Sequence, residues 1–294
     1  MSHAFHIVDV FAQEPYAGNP LAVVLDADDL APETMLRIAG EMNYSESTFV
    51  HSGPEPDGGH RVRMFTPARE IAFAGHPILG TAWVIRRLAP GAPDEVRLHL
   101  PVGKVPVTFE RDARGRELAW LLAPPVALGP ACAPGPMAAA LHLAPEDLEP
   151  RLPVQVAGAG ISAIIVPLRH RDALGRARLD LEAFADLAGQ GFPPLVYLFC
   201  PEPRDPENHL CARFFFEAHG VREDPAAGNA TAFLGAYLME HGYFPQAELD
   251  LRIEQGFELG RPSLLLLRVR RDGAGLRIRV GGAVVATAEG RLLT

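Results

Sequence analysis

The sequence predicts an α+β fold of two pseudo-symmetric halves, each a curled mixed or antiparallel sheet around a central apolar helix. Three observations carry that prediction. Ala74-Gly75-His76 and Ala227-Gly228-Asn229 each open a very apolar run, and their glycines lie 153 positions apart in a chain of 294 residues. Each follows an Arg-X-Phe segment, Arg63-Met64-Phe65 or Arg213-Phe214-Phe215. Helical patterns are too few to give every strand-like run a crossover partner, which argues against a doubly wound parallel sheet.

Short strand-like runs dominate the first 120 or so positions: Phe5 to Val10, Leu21 to Leu25, Ser47 to His51, Arg61 to Phe65, Glu95 to Leu100, Val105 to Glu110 and Glu117 to Leu121. One amphipathic helix interrupts them at about Pro32 to Met42, with Met35, Leu36, Ile38, Ala39 and Met42 at helical spacing. Ala123 to Pro136 holds five prolines and little periodicity, and is taken as the crossing between domains. Beyond it come a strand at Ile161 to Leu168, a helix at about Asp180 to Gln190, and strands at Leu195 to Phe199 and Cys211 to Phe216. A helix from Asn229 to His241 and strands near Leu249 to Glu254, Leu264 to Arg271, Leu276 to Val280 and Ala283 to Ala288 complete the order.

The two helices after the glycines have no clear polar face. Ile78, Leu79, Ala82, Trp83, Val84 and Ile85 cover most sides of the first, as Ala232, Phe233, Leu234, Ala236, Tyr237, Leu238 and Met239 do of the second. A helix apolar all round must be enclosed, and both are too short to span a membrane. Starts at about Pro77 and Ala230 place His76 and Asn229 at or near the N-caps, with Gly242 suited to the C′ position of the second helix. Such an N-terminus presents unpaired N–H groups and a partial positive charge, and a leading glycine admits close approach. Two of them facing one another would hold a small carboxylate, although Gly-His or Gly-Asn alone is ordinary capping.

Composition narrows the classes. With 27 Lys+Arg against 36 Asp+Glu the formal charge is −9, which disfavours nucleic acid and anionic membranes as partners. Neither a signal peptide nor a transmembrane run is recognised. Cys132, Cys200 and Cys211 are odd in number and not closely spaced, which disfavours a disulfide framework or structural zinc and fits a cytoplasmic protein. The histidines His51, His60, His99, His142, His170, His209, His219 and His241 show no compact metal spacing. Ala157-Gly158-Ala159-Gly160 reads as a loop, lacks the full dinucleotide-binding pattern and precedes a strand-like run. No cofactor or metal is expected.

Two acidic positions stand near the helix openings. Glu46, in Asn43-Tyr44-Ser45-Glu46, lies where the amphipathic helix gives way to a strand, so its side chain can enter a cleft. Asp224 precedes Gly228 by four residues within Glu223-Asp224-Pro225-Ala226-Ala227-Gly228-Asn229. Taken alone, Glu46 reads as a solvated loop residue and Asp224-Pro225 as a turn.

At these residues the chain resembles the PhzF family of phenazine-biosynthesis-type isomerases, which share the diaminopimelate epimerase fold. The matching blocks run in order: Val8-Asp9-Val10-Phe11 with Gly18-Asn19-Pro20-Leu21, Asn43-Tyr44-Ser45-Glu46, Phe65-Thr66-Pro67 with Gly75-His76, Glu223-Asp224-Pro225-Ala226 with Gly228-Asn229-Ala230, and Gln255-Gly256 with Gly260-Arg261-Pro262-Ser263. The resemblance implies one half from residues 1–122 plus 281–294, the other from 123–280, an active site in the cleft between them, and a homodimer.

It also implies chemistry. Epimerases of this fold carry a cysteine directly before each helix-opening glycine; here Ala74 and Ala227 stand there, so a two-thiol racemase is not available. In phenazine-type members a glutamate in the Ser-Glu block is acid and base, and Glu46 matches it. His76 and Asp224 match catalytic polar groups, Gly75, His76, Gly228 and Asn229 match the substrate-binding positions, and Asn229 replaces a serine common in relatives. The implied reaction is a cofactor-free proton shift within a small cyclic or unsaturated carboxylic acid, of which isomerisation of trans-2,3-dihydro-3-hydroxyanthranilate is the family's best-known case. A small-acid binding protein without turnover, and a lyase or hydrolase on this fold, are the other readings. Arg261 could anchor a second substrate acid or make a structural salt bridge, and Gln255-Gly256 could touch ligand or support the fold.

Overall fold

Runs of Val, Ile, Leu and aromatic residues broken every few positions by Gly, Pro, Asn or Asp favour short strands over long helices. The computed structural model describes residues 2–216, 223–273 and 275–293. His219 lies outside them. The chain divides into two units, Met1–Leu122 with Gly281–Thr294, and Ala123–Val280.

The first unit contains, in chain order, β1 (Ser2–Val10), β2 (Asn19–Val24), α1 (Pro32–Met42), β3 (Ser47–Val50), β4 (His60–Phe65), β5 (Glu70–Ile71), α2 (Gly75–Leu88), β6 (Glu95–Leu100), β7 (Gly103–Arg111) and β8 (Glu117–Leu122). The last strand of the chain, β18 (Val284–Leu293), returns to it and pairs antiparallel with β1. β1 also pairs antiparallel with β2, and β2 runs parallel to β3 across α1, the crossover that a parallel pair requires. β3 and β4 are antiparallel, β4 is parallel to β6 across α2, and β6, β7 and β8 form a meander.

Every residue of α2 from Gly75 to Ala82 is buried, because β1, β2, β3, β6, β7, β8 and β18 all pack on it. Gly80 sets how close it lies: a Cβ there would fall 2.6 Å from Leu21 Cδ2 and 2.8 Å from Val10 Cγ2. α1 covers the other face of the sheet, with Met35 and Ala39 packed among Val24, Leu30, Phe49 and Phe65. It ends at Asn43, whose left-handed φ of 53° and N–H bond to Ala39 O stop the helix and turn the chain toward β3.

The second unit contains β9 (Ala127–Cys132), α3 (Pro134–Ala140), β10 (Val154–Ala159), β11 (Ile161–Pro167), α4 (Arg171–Arg176), α5 (Ala185–Gly189), β12 (Val196–Cys200), β13 (Leu210–Phe215), β14 (Glu223–Asp224), α6 (Gly228–Glu240), β15 (Leu249–Gln255) and β16 (Ser263–Asp272). The chain leaves it through β17 (Gly275–Gly282). The pairings repeat those of the first unit. β10 and β11 are antiparallel, β11 and β12 parallel, β12 and β13 antiparallel, β13 and β15 parallel across α6, and β15 and β16 antiparallel. β12 is buried on both faces, which explains its unbroken apolar sequence. Val196, Leu198 and Cys200 pack with Leu174, Phe184 and Leu187 on the side of the short helices. Tyr197 and Phe199 instead meet Thr231 and Tyr237 of α6.

The repeat extends to side chains. Arg63 grips Glu70 with two hydrogen bonds of 2.7 Å, and Arg213 grips Glu223 with two of 2.8 Å. In each case the guanidinium also lies over the phenylalanine two residues on, 5.2 Å above Phe65 and 4.8 Å above Phe215. Each central helix is tied to a strand of its unit by a buried hydroxyl pair, α2 to β3 through Thr48 Oγ1 and Thr81 Oγ1 at 2.7 Å and α6 to β12 through Tyr197 Oη and Thr231 Oγ1 at 3.2 Å.

Four sequence expectations are corrected. The proline-rich stretch is not a bare crossing: it forms β9 and opens α3, and Pro130 is accommodated because the β9–β10 register slips beside it. The helix expected over Asp180 to Gln190 is regular only from Ala185 to Gly189, since the Asp180 carboxylate takes the N–H groups of Glu182 and Ala183. Ala157 to Ala159 belong to β10, and only Gly160, at φ 79°, makes the turn into β11. Both central helices begin two residues or so earlier than expected, at Gly75 and Gly228, so the N-caps are Ala74 and Ala227 rather than His76 and Asn229.

Candidate active site

In the first unit, three residues distant in sequence converge at the start of α2. Asn43 ends α1, and the turn after it delivers Glu46 to the residue before β3. Asn19 opens β2, and His76 is the second residue of α2. Glu46 and His76 are only 9% and 4% exposed, and Glu46 Oε2 lies 3.4 Å from His76 Nε2. The Asn19 Nδ2 amide donates to His76 Nδ1 at 3.2 Å. An amide nitrogen can only donate, so Nδ1 is the acceptor and the ring proton sits on Nε2, the nitrogen on the carboxylate side. Burial pushes the His76 pKa down to about 3, so the ring is neutral at physiological pH. The contact is therefore a neutral ring set 3.4 Å from a carboxylate, not an ion pair.

In the second unit, β14 pairs with β13 through Phe214↔Asp224 and Phe215↔Glu223. The buried Arg213–Glu223 grip anchors that pairing, and Arg213 also donates to Leu174 O and Ala177 O. Asp224 is half-buried at the end of this short strand, and the turn Asp224-Pro225-Ala226-Ala227 leads into α6. Gly228 is buried and Asn229 half-buried in the first turn of that helix. Gln255 closes the arrangement. Its Nε2 donates to Asp224 O at 2.7 Å, and its Oε1 accepts from Ala227 N at 3.4 Å and Tyr197 Oη at 3.3 Å.

No side chain caps α2 or α6 among the described residues, since both N-caps are alanine. The first-turn N–H groups of Gly75, His76, Gly228 and Asn229 point out of uncapped helix ends, the geometry that suits a carboxylate. Ala74 and Ala227 hold no ionisable group at either end. Among the described residues, no three His, Cys, Asp or Glu side chains converge as a metal site, and no helix is long and apolar enough to cross a membrane. The three cysteines are free and buried.

Glu46 and His76 are thus brought together in the first unit, and Asp224, Gly228 and Asn229 in the second. Sequence reading assigned no role to Asn19, although it lay in the Gly18-Asn19-Pro20 block. It also left Gln255 undecided between ligand and fold; the structure gives it a backbone-bridging position. At Arg261 the backbone N–H donates to Gly256 O at 3.0 Å and the carbonyl accepts from Ser263 Oγ at 2.9 Å.

Comparison with known proteins agrees across the chain. The sequence pattern of the phenazine biosynthesis-like protein family (PhzC-PhzF) matches residues 8–290. A trans-2,3-dihydro-3-hydroxyanthranilate isomerase from Pseudomonas aeruginosa is 39% identical over 98% of this chain and 99% of its own length. The crystal structure of a PhzF-family phenazine biosynthesis protein from Bacillus anthracis superposes with a TM-score of 0.91 at 26% identity, covering 100% of both chains. A hydroxyproline epimerase from Agrobacterium vitis shares the fold at a TM-score of 0.64 and 12% identity, over 99% of this chain and 91% of that one.

Proposed function

Because the chain belongs to the phenazine biosynthesis-like (PhzC-PhzF) family and is an isomerase, we propose that it shifts a proton within a small cyclic or unsaturated carboxylic acid, without a cofactor and with Glu46 as general acid and base. The substrate in this reading is trans-2,3-dihydro-3-hydroxyanthranilate or a close analogue, on the strength of the Pseudomonas aeruginosa relative.

The observation that carries the reading is the buried chain Asn19–His76–Glu46 at the uncapped start of α2. Glu46 takes a proton from a substrate carbon and becomes a carboxylic acid, while the C–H electron pair moves into the neighbouring unsaturation. The same carboxyl then returns the proton to the far end of the conjugated system, so the double bond moves and the mass does not change. Neutral His76 presents Nε2–H, which steadies negative charge on Glu46 before transfer and after return. Helix-terminal N–H groups at Gly75-His76 and Gly228-Asn229 hold the substrate carboxylate and the charge that develops beside it. Asp224, in the second unit, orients the substrate. Alanine at positions 74 and 227 leaves no thiol pair to exchange protons across the α-carbon, in keeping with a one-carboxylate mechanism.

The test is turnover of trans-2,3-dihydro-3-hydroxyanthranilate in deuterated water, followed by proton NMR and mass spectrometry. The wild type is expected to give a product with a shifted double bond, and deuterium at the new C–H in those turnovers in which the Glu46 carboxyl exchanges its proton with solvent before returning it. Glu46→Gln is expected to lose roughly 100- to 10,000-fold in rate, as removal of a general acid/base does. Near-normal turnover by Glu46→Gln would sink the assignment, and a product of altered mass in a parallel reaction in ordinary water would point to a lyase or hydrolase.

A further inference from the structure

The two units repeat one another closely, so a buried polar group present in only one of them calls for an explanation. Strand register makes the comparison concrete. Arg61 pairs with His99 in the first unit where Cys211 pairs with Glu254 in the second, which sets Leu100 opposite Gln255 in the alignment of the halves. Both are buried, but one is apolar and the other carries an amide that needs partners. The same alignment sets Ile71 against Asp224, since Ile71 pairs with Met64 as Asp224 pairs with Phe214. The buried amide therefore occurs in the unit that also carries the site aspartate.

Its partners are specific. Asp224 O and Ala227 N are residues i and i+3 of the Asp-Pro turn, the two groups that an ordinary turn would pair with each other. Here the Gln255 amide stands between them, Nε2 on the carbonyl at 2.7 Å and Oε1 on the N–H at 3.4 Å. The turn is held open by the width of one amide group, and this sets both where Asp224 ends and where the first turn of α6 begins. Gly256 presses the end of β15 against the same turn: at φ 80°, a Cβ there would lie 2.6 Å from Pro225 O and 2.4 Å from Arg261 O. The Gln255 oxygen is fixed in turn by Tyr197, whose phenol burial keeps protonated.

We infer that Gln255 is a positioning residue, which through the open Asp224–Ala227 turn sets the placement of Asp224 and of the Gly228-Asn229 N–H groups toward the substrate carboxylate. This rests on the proposed isomerase site. Gln255 itself touches no reacting atom; it acts through the backbone it spaces.

Three variants test it. Gln255→Leu removes both bridges. Gln255→Glu keeps the acceptor for Ala227 N–H but sets a carboxylate oxygen against Asp224 O until that carboxyl is protonated. Tyr237→Phe is the stability control, because it deletes another buried hydrogen bond of the same helix, Tyr237 Oη to Pro153 O at 2.6 Å, away from the turn. Gln255→Leu is expected to speed hydrogen exchange of the Ala227 and Gly228 amides roughly tenfold or more beyond the change elsewhere in α6, the factor one buried hydrogen bond carries. With trans-2,3-dihydro-3-hydroxyanthranilate its kcat/KM falls, whereas Tyr237→Phe loses stability and keeps kcat/KM. Gln255→Glu, normalised to wild type at each pH, recovers as pH falls and the introduced carboxyl gains the proton it can donate to Asp224 O. Exchange at residues 227 and 228 that follows global stability alone in Gln255→Leu, or a flat normalised pH profile in Gln255→Glu, would overturn the inference. Hydrogen exchange needs no turnover, so it decides this inference even where an active Glu46→Gln removes the proposed chemistry.

Discussion

His76 concentrates the physics of the site in one ring. Its neutrality follows from burial, and its tautomer follows from the amide of Asn19. A histidine whose folded pKa is about 3 and whose unfolded pKa is near 6.5 binds more protons when unfolded throughout that interval. Its stabilising contribution is thus complete above 6.5 and is lost as pH falls toward 3, at about 1.4 kcal/mol per unit inside the window. Urea unfolding at pH 7 and pH 4.5 should show wild type losing more stability than His76→Gln over the same step. An equal loss in both would remove His76 as the cause. Little of this could be read from sequence. Ala74-Gly75-His76 announces a helix start, but the Asn19 partner lies 57 positions away and only the β2 register brings it to the ring. Gln255 was hidden for the same reason, since a glutamine ending one strand gives no sign that it will bridge a turn 28 positions earlier.

At the level of elements, the repeated arginine–glutamate grips form an internal experiment. Arg63–Glu70 is partly exposed, at 25% and 37%, while Arg213–Glu223 is almost fully enclosed, at 4% and 7%. Removing one partner of an exposed pair costs little, about 0–1 kcal/mol, because water takes its place. Removing one partner of an enclosed pair strands a charge, at about 3–5 kcal/mol. Arg63→Ala should therefore be nearly neutral and Glu223→Ala strongly destabilising, as chemical denaturation of the two variants would reveal; equal effects would contradict this difference in burial. The Arg-X-Phe segments, the enclosed helices and α1 were legible because each has a local periodicity or a repeated motif. β9, α3 and α4 were not: the first two sit among prolines that read as a break, and α4 is too short for helical spacing to register. The central helices were placed late at their starts because Gly-His before Pro77 and Gly-Asn before Ala230 read as caps, whereas the extended conformation belongs to Ala74 and Ala227.

On the scale of the molecule, the first unit is assembled from both ends of the chain. β1 is paired with β18 from Ser2↔Leu293 to Val10↔Val284, with one slip beside Ile7. Truncation after Val280 should expose one edge of β1, and limited proteolysis should then cut preferentially within residues 2–122; an unchanged cleavage pattern would show that β18 is dispensable. The order of synthesis gives this pairing a further consequence. At roughly 5–20 residues per second a ribosome delivers β1 long before β18, and the whole second unit must emerge between them. For that interval the oldest strand waits with one ladder edge open, the kind of edge on which nascent chains pair with one another. The strand of this unit made first is therefore the last to be completed, and its safest passage depends on how quickly β18 follows the second unit.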